Sequence, residues 1–121
     1  MPAYRAESTI ATVIATLPPF VDAIIVVDDA SPDRTHEVLE SCSDPRLVVL
    51  RHAKNLGVGG AMCTAYEHAL KLGCDVVVKM DADGQMDPDH LGDLLDALLN
   101  GNYDYAKGNR FLHRGALAHM P

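Results

Sequence analysis

Apolar residues recur at Ile10, Val13, Ile14 and Leu17, the i, i+3, i+4, i+7 spacing that lines one helix face. This predicts a helix from Glu7 to Leu17, stopped by Pro18-Pro19. The period then changes. Ile24-Ile25-Val26-Val27 is an unbroken β-branched run, the pattern of a strand covered on both faces, and it leads into Asp28-Asp29. Ser31-Pro32-Asp33 supplies an N-cap, a first-turn proline and an acidic group for a helix carrying Val38, Leu39 and Cys42, with Pro45 beyond it. Leu47-Val48-Val49-Leu50 reads as the next strand, and Val58, Ala61, Met62, Ala65, Ala69 and Leu72 trace one face of a longer helix ended by Gly73. Val76-Val77-Val78 predicts a strand running into Met80 and Asp81. Asp87-Pro88 opens a helix with Leu91, Leu94, Leu95, Leu98 and Leu99 on one face up to Asn100-Gly101, and Tyr103 to Ala106 reads as a last short strand. The alternation predicts an α/β fold, a mostly parallel, Rossmann-like sheet flanked by helices, with no internal repeat or linker.

Composition narrows this picture. A chain of 121 residues with 48% hydrophobic content supports one compact core, so residues 1–121 read as a single domain. A formal net charge of −7, with no cluster of Lys and Arg, argues against a nucleic-acid partner. Cys42, Cys63 and Cys74 form no CxxC pair and suggest neither a disulfide framework nor a zinc site, which fits a reducing cytoplasm. No apolar run reaches the roughly 20 residues that span a bilayer, so the chain by itself reads as soluble. The six histidines match no metal-ligand spacing and read as surface or cap residues.

The acidic residues carry the candidate chemistry. In open α/β sheets ligands bind beyond the carboxyl ends of the strands, and the predicted elements put Asp28, Asp29, Asp81 and Asp83 on that edge. Like charges gathered there repel one another and imply a cation partner or open solvation, and a hard divalent metal is the simplest partner. Mg²⁺ or Mn²⁺ suits the donor set, since Mg²⁺ takes one or two carboxylates plus substrate phosphates and water. In Asp81-Ala82-Asp83 one carboxylate can take the metal and the other can approach a ribose or sugar, while the small Ala82 admits the ligand and Gln85 offers a neutral oxygen. An isolated Asp-x-Asp is more often a solvated turn, a reading that accounts for Asp87 as a cap but not for Asp81. An EF-hand does not fit, because Gly84 stands at the fourth loop position rather than the sixth and Gly92 replaces the closing Glu.

Five motifs occur in order: Pro2-Ala3-Tyr4; Val26-Val27-Asp28-Asp29-Ala30-Ser31-Pro32-Asp33; Asn55-Leu56-Gly57-Val58-Gly59-Gly60-Ala61; Met80-Asp81-Ala82-Asp83-Gly84-Gln85; and Gly108-Asn109-Arg110-Phe111. Together they resemble family 2 glycosyltransferases of the GT-A fold, most of all dolichol- or polyprenyl-phosphate sugar transferases, over essentially the whole chain. The resemblance implies a nucleotide-diphosphate sugar donor, a lipid-phosphate acceptor and inversion at the anomeric carbon. It implies donor contacts from Ala3, Tyr4, Glu7, Asp28 and Asp29, and a metal and diphosphate surrounded by Asp81, Asp83 and Gln85. Arg110 would approach the donor or acceptor phosphates, so Asp83 and Arg110 are the candidate catalytic residues. Asn55 to Ala61 reads as a turn that opens a helix rather than as a ligand contact.

Some positions depart from that pattern. The family commonly reads Pro-Ala-Tyr-Asn-Glu, whereas Arg5-Ala6 follow Tyr4 here and Glu7 comes one position late. The family also has an apolar strand before the proline, internal to its sheet, where this chain has only Met1, so unpaired backbone groups are expected on its neighbours. The chain therefore reads as the donor-binding part of an incomplete domain. Peripheral membrane association through regions outside the chain and a homo-oligomer both stay open. The alternatives are a nucleotide-binding fragment without transfer, and a response-regulator receiver domain with Asp28-Asp29, Asp81 and Lys107 as its acidic pair, phosphorylated aspartate and lysine.

Overall fold

The structure, a computed structural model, describes residues 1–108 and comprises two compact units, Met1–Pro88 and a second from Asp89 onward. In the first unit the order is β1 (Pro2–Ala3), α1 (Ile10–Thr16), β2 (Ile24–Asp28), α2 (Thr35–Ser41), β3 (Leu47–Arg51) and α3 (Gly57–Leu72). The strands form one parallel sheet in the order β1-β2-β3, with Pro2 opposite Val27, and Ile24 to Asp28 opposite Leu47 to Arg51. The second unit holds α4 (Leu91–Asn100), preceded by a 3₁₀ turn at Pro88–His90. In α4 Leu91 is buried and Leu99 is exposed.

The central strand explains the layers. Successive side chains of β2 point to opposite faces, and Val26 and Val27 are both fully buried, as a strand covered on both sides requires. Val27 packs on Ala61 and Ala65 of α3, with Ile25 and Leu50 beside them. Ala61, Ala65 and Ala69 repeat every fourth residue, so α3 presents a small-residue stripe that lets its backbone lie close to the sheet. Gly73 then ends the helix in the left-handed region at φ +74°.

Two predicted strands do not form. Residues 76–80 make no ladder among the described residues, and Val77 and Val78 are 47% and 41% exposed. A strand needs a neighbour of matching length, and β1 has two residues. Residues 103–106 are likewise irregular, with Tyr103 and Tyr105 exposed. On the β2 side the expected loss of pairing is partly made up. The Met1 amino group donates to Ile25 O at 2.8 Å, Val27 N–H to Met1 O at 3.0 Å and Asp29 N–H to Ala3 O at 2.9 Å, so residues 1–3 pair with β2 at these three positions.

Both early helices start later than their sequence signals. Glu7 accepts the Arg34 N–H at 2.9 Å and Thr9 and Ile10 N–H bond Ala6 O, so residues 7–9 form a turn and α1 begins at Ile10. Ser31 is not the cap of α2, because its hydroxyl accepts Arg5 N–H at 3.2 Å and its own N–H donates to Asp28 Oδ1 at 3.0 Å. Asp33 takes over near the helix start, with Oδ1 accepting from Thr35 N–H and from the Thr35 hydroxyl at 2.6 Å. That hydroxyl, fully buried, also accepts Ala6 N–H at 2.8 Å and so ties the turn after β1 to the start of α2.

The alternation of β2 also separates the acidic pair. Asp28 shares the face of Ile24 and Val26, and its buried carboxylate lies 3.5 Å from His36 Nδ1 of α2 and 3.3 Å from Arg51 Nε. Asp29, one residue on, turns toward α3. Its Oδ1 accepts Leu56 N–H at 2.8 Å, its Oδ2 accepts Gly57 N–H at 2.8 Å, and His52 Nδ1 lies 2.6 Å from Oδ1. A carboxylate can only accept, so His52 carries its proton on Nδ1, and its Nε2 meets the Thr64 hydroxyl of α3 at 2.8 Å. His52 is thus a partly buried connector rather than a surface residue. Burial acts to raise the Asp29 pKa, but the bonds from Leu56, His52 and Gly57 outweigh it and hold the carboxyl below its ordinary value.

Two outcomes follow from these bonds. Thr35→Val keeps the shape but strands the Ala6 N–H, and should cost about 2 kcal/mol in urea denaturation. Asp29→Asn should cost a similar ~2 kcal/mol at pH 7, since charge-assisted bonds to the start of α3 are lost. Because the folded pKa of Asp29 is depressed, its stabilisation is fully present above the unfolded value of about 4 and is lost as pH falls through the folded value. The stability gap between wild type and Asp29→Asn should close over that acid range.

Candidate functional site

At the carboxyl end of the sheet a cleft of about 640 Å³ is lined by residues 2–6, 8 and 9, Asp29, Asn55, Gly57, Val58, Ala61 and Asp81-Ala82-Asp83. That volume is in the range of small-molecule sites. Four separate stretches of the chain build it, and each has a local cause. β1 ends at Ala3, after which Arg5 adopts φ +53° and Tyr4 stands 47% exposed at the rim. The Arg5 guanidinium lies 5.5 Å from the Tyr4 ring centroid, over its face. Ala30, after the acidic pair, is also left-handed at φ +55°. Each of these non-glycine residues costs about 1–2 kcal/mol in that region, held here by the Arg5-to-Ser31 and Ser31-to-Asp28 bonds.

The start of α3 forms the second wall. Gly57 sits at φ +78° and donates to both Asp29 Oδ2 and Asn55 Oδ1, which sets Asn55, Gly57, Val58 and Ala61 against the cleft. The Asn55 to Ala61 motif therefore both opens the helix and faces the cleft, where the sequence suggested only the first. Only part of the Asp29 carboxylate's capacity is open to a ligand, because three bonds already hold it.

The third wall is the Asp-x-Asp segment. Burial alternates along it: Met80 and Ala82 are buried, Asp81 is half-buried, and Lys79 and Asp83 are exposed. The Thr9 hydroxyl donates to Ala82 O at 2.7 Å and pins the segment beside the turn before α1. Asp83 Oδ1 accepts Gln85 N–H at 3.0 Å, closing a turn that contains Gly84 at φ +76°, where a Cβ would meet Val13 at 3.7 Å. Lys79 Nζ lies 2.5 and 2.6 Å from the two oxygens of Asp81.

The sequence-predicted residues therefore divide. Ala3, Tyr4, Asp29, Asp81, Ala82 and Asp83 come together around the cleft. Glu7 does not line it, and its carboxylate bonds Arg34 N–H. Asp28 is turned beneath α2, and Gln85 is outside the lining, engaged through its backbone. Arg110 lies outside the described residues. Missed by sequence reasoning were Arg5, Ser8 and Thr9, which carry no motif signal, and Lys79, whose spacing of two from Asp81 along an extended segment could have found it.

For a divalent metal the donor set is partial. Among the described residues no group of three His, Cys, Asp or Glu side chains could hold one. Asp81 and Asp83 nonetheless fit a hard cation shared with a ligand's phosphates, where one or two protein carboxylates are enough. Asp81 is already paired with the Lys79 ammonium.

The chain is 31% identical over 136 aligned positions to a UDP-N-acetylglucosamine–dolichyl-phosphate N-acetylglucosaminyltransferase of Methanococcus voltae, covering 100% of this chain and 54% of the relative. It is 37% identical to an undecaprenyl-phosphate mannosyltransferase of Micrococcus luteus, and 38% identical to a dolichol-phosphate mannosyltransferase of Pyrococcus furiosus. Each alignment covers 81% of this chain, with 40% and 27% of the respective relative. The chain thus spans about half or less of the length of these curated relatives. A receiver domain is set aside, because the glycosyl transferase family 2 model matches residues 1–121. From the α/β cleft and this match together, the chain belongs to glycosyl transferase family 2.

Proposed function

We propose that this chain is the donor-binding part of a metal-dependent glycosyltransferase that moves a sugar from a nucleotide diphosphate to a polyprenyl or dolichyl phosphate, with inversion. The observation that carries the reading is the convergence of Tyr4, Asp29, Asn55, Asp81 and Asp83 on one cleft at the carboxyl edge of a parallel sheet. The relatives from Methanococcus voltae, Micrococcus luteus and Pyrococcus furiosus are named for dolichyl or undecaprenyl phosphates, which supports the acceptor class.

The residues suggest a division of labour. The exposed ring of Tyr4 offers a stacking surface for the base, and the open side of the cleft near Asn55 and Gly57 offers polar groups to the ribose. Asp81 and Asp83, with Gln85 nearby, would hold Mg²⁺ or Mn²⁺ against the diphosphate. The metal would supply Lewis-acid stabilisation of the leaving diphosphate. Buried Ala82 leaves room for the donor to approach Asp83. Arg110 offers a planar, permanently charged fork for donor or acceptor phosphates. A lipid phosphate with a second pKa near ~6 is already largely ionised at pH 7, so it can attack without a general base. Such an acceptor sets the reaction at a membrane surface. Among the described residues no helix is long and apolar enough to cross a membrane.

Calorimetry with UDP, GDP and ADP, with and without Mn²⁺, tests the reading. At least one nucleotide should bind only with the metal, and Asp83→Ala should weaken it roughly tenfold or more. Binding that ignores the metal, or no binding, defeats the proposal.

A further inference from the structure

Lys79 is the residue for which neither the fold nor the family match supplies a role. Its side chain is about one-third exposed, and its ammonium touches both oxygens of Asp81, which is about one-third exposed as well. The pair arises from local geometry. Burial alternates from Lys79 to Asp83, with Met80 and Ala82 turned inward, so Lys79, Asp81 and Asp83 share the outward side of the segment. An ammonium is a compact point charge on a flexible stem, able to leave one anion for another a few ångströms away.

Lys79 is outside the lining of the cleft, but its partner Asp81 is part of it, so a cation stands at the edge of the proposed diphosphate site before any ligand arrives. Asp81, Asp83 and the nearby Asp29 line the same cleft, and gathered carboxylates are costly without a counter-charge. We propose that Lys79 is the resident counter-ion of Asp81 and is exchanged on donor binding: the arriving cation takes its place on Asp81, and the released ammonium pairs with the donor's diphosphate. The inference rests on the reading of the cleft as a nucleotide-diphosphate site. No covalent bond changes and no proton moves. One cationic group exchanges anionic partners, so net charge in the cleft after binding is one unit more positive than Asp81, Asp83 and the metal alone would give. Lys79 thereby becomes a determinant of specificity, opposing free metal and favouring metal that arrives with a diphosphate.

The two halves of the exchange predict opposite effects from one substitution. Lys79→Met keeps length and apolar stem while removing the charge. Titrated with Mn²⁺ alone and followed by the Mn²⁺ electron paramagnetic resonance signal, it should bind about three- to fivefold more tightly than wild type, the size expected for loss of a half-exposed ion pair. Titrated with inorganic pyrophosphate, or with UDP, GDP or ADP, at saturating Mn²⁺, it should bind about three- to tenfold more weakly. Lys79→Arg, which keeps the charge, should return both values toward wild type. Pyrophosphate carries no base, so the second arm does not depend on knowing the nucleotide.

Matching values for Lys79→Met and wild type in both arms overturn the inference. Tighter binding in both arms also overturns it, because Lys79 would then be a competitor and nothing more. Weaker binding in both arms overturns it too, since removing a competing counter-ion cannot weaken metal binding. Thermal unfolding of each variant by circular dichroism identifies any loss that comes from the fold, and Lys79→Arg then decides the case. Wild-type protein that takes up no Mn²⁺-diphosphate defeats the reading of the cleft itself. Wild-type protein that takes it up as well as Lys79→Met does defeats this inference alone.

Discussion

The cleft depends on one buried carboxylate. Asp29 stands where β2 hands its chain to a loop, and its two oxygens collect the first free N–H groups of α3 and the ring of His52. A helix start leaves several N–H groups without intrahelical partners, and burying them unpaired would cost more than most single contacts in a protein return. Asp29 satisfies two of them, and its negative charge lies at the positive end of a 16-residue helix. Without that anchor the packing of Ala61 and Ala65 on Val27 would still hold the body of α3 to the sheet, but the Asn55 to Gly57 turn would lose its tie to β2.

The same logic separates two residues that look interchangeable. Asp28 and Asp29 are neighbours in a nearly extended chain, so their side chains leave on opposite faces. One goes under α2, beside His36 and Arg51, and the other goes to α3 and the cleft. The acidic edge is consequently less bare than a count of carboxylates suggests. Arg51 and Lys79 sit against Asp28 and Asp81, and the rings of His36 and His52 against Asp28 and Asp29.

Much of the first unit was legible in residue order. The β-branched run of β2 and the alanine stripe of α3 state their periods clearly, and Gly73 marks the end of α3 with a conformation few other residues adopt. The cleft residues Ala3, Tyr4, Asp29, Asp81, Ala82 and Asp83 were legible because they lie in short motifs at element ends, where the backbone rather than side-chain packing sets their position. The predicted strand at 76–80 failed for the opposite reason: its valines carry the right propensity, but a strand is completed by a partner, and propensity says nothing of whether one of adequate length lies beside it.

By itself, then, the sequence determined the alternation of strands and helices, the edge on which the acidic residues gather and the family to which the chain belongs, since all three are carried by periodicity and by motif order along the chain. Tertiary structure alone decided which of two adjacent aspartates faces the cleft and that His52 locks one of them to α3. Those outcomes depend on contacts between residues as far apart as 28 positions, such as Asp29 and Gly57, and on which face each side chain takes once the sheet has formed. No pattern read along the chain can encode them before the elements meet.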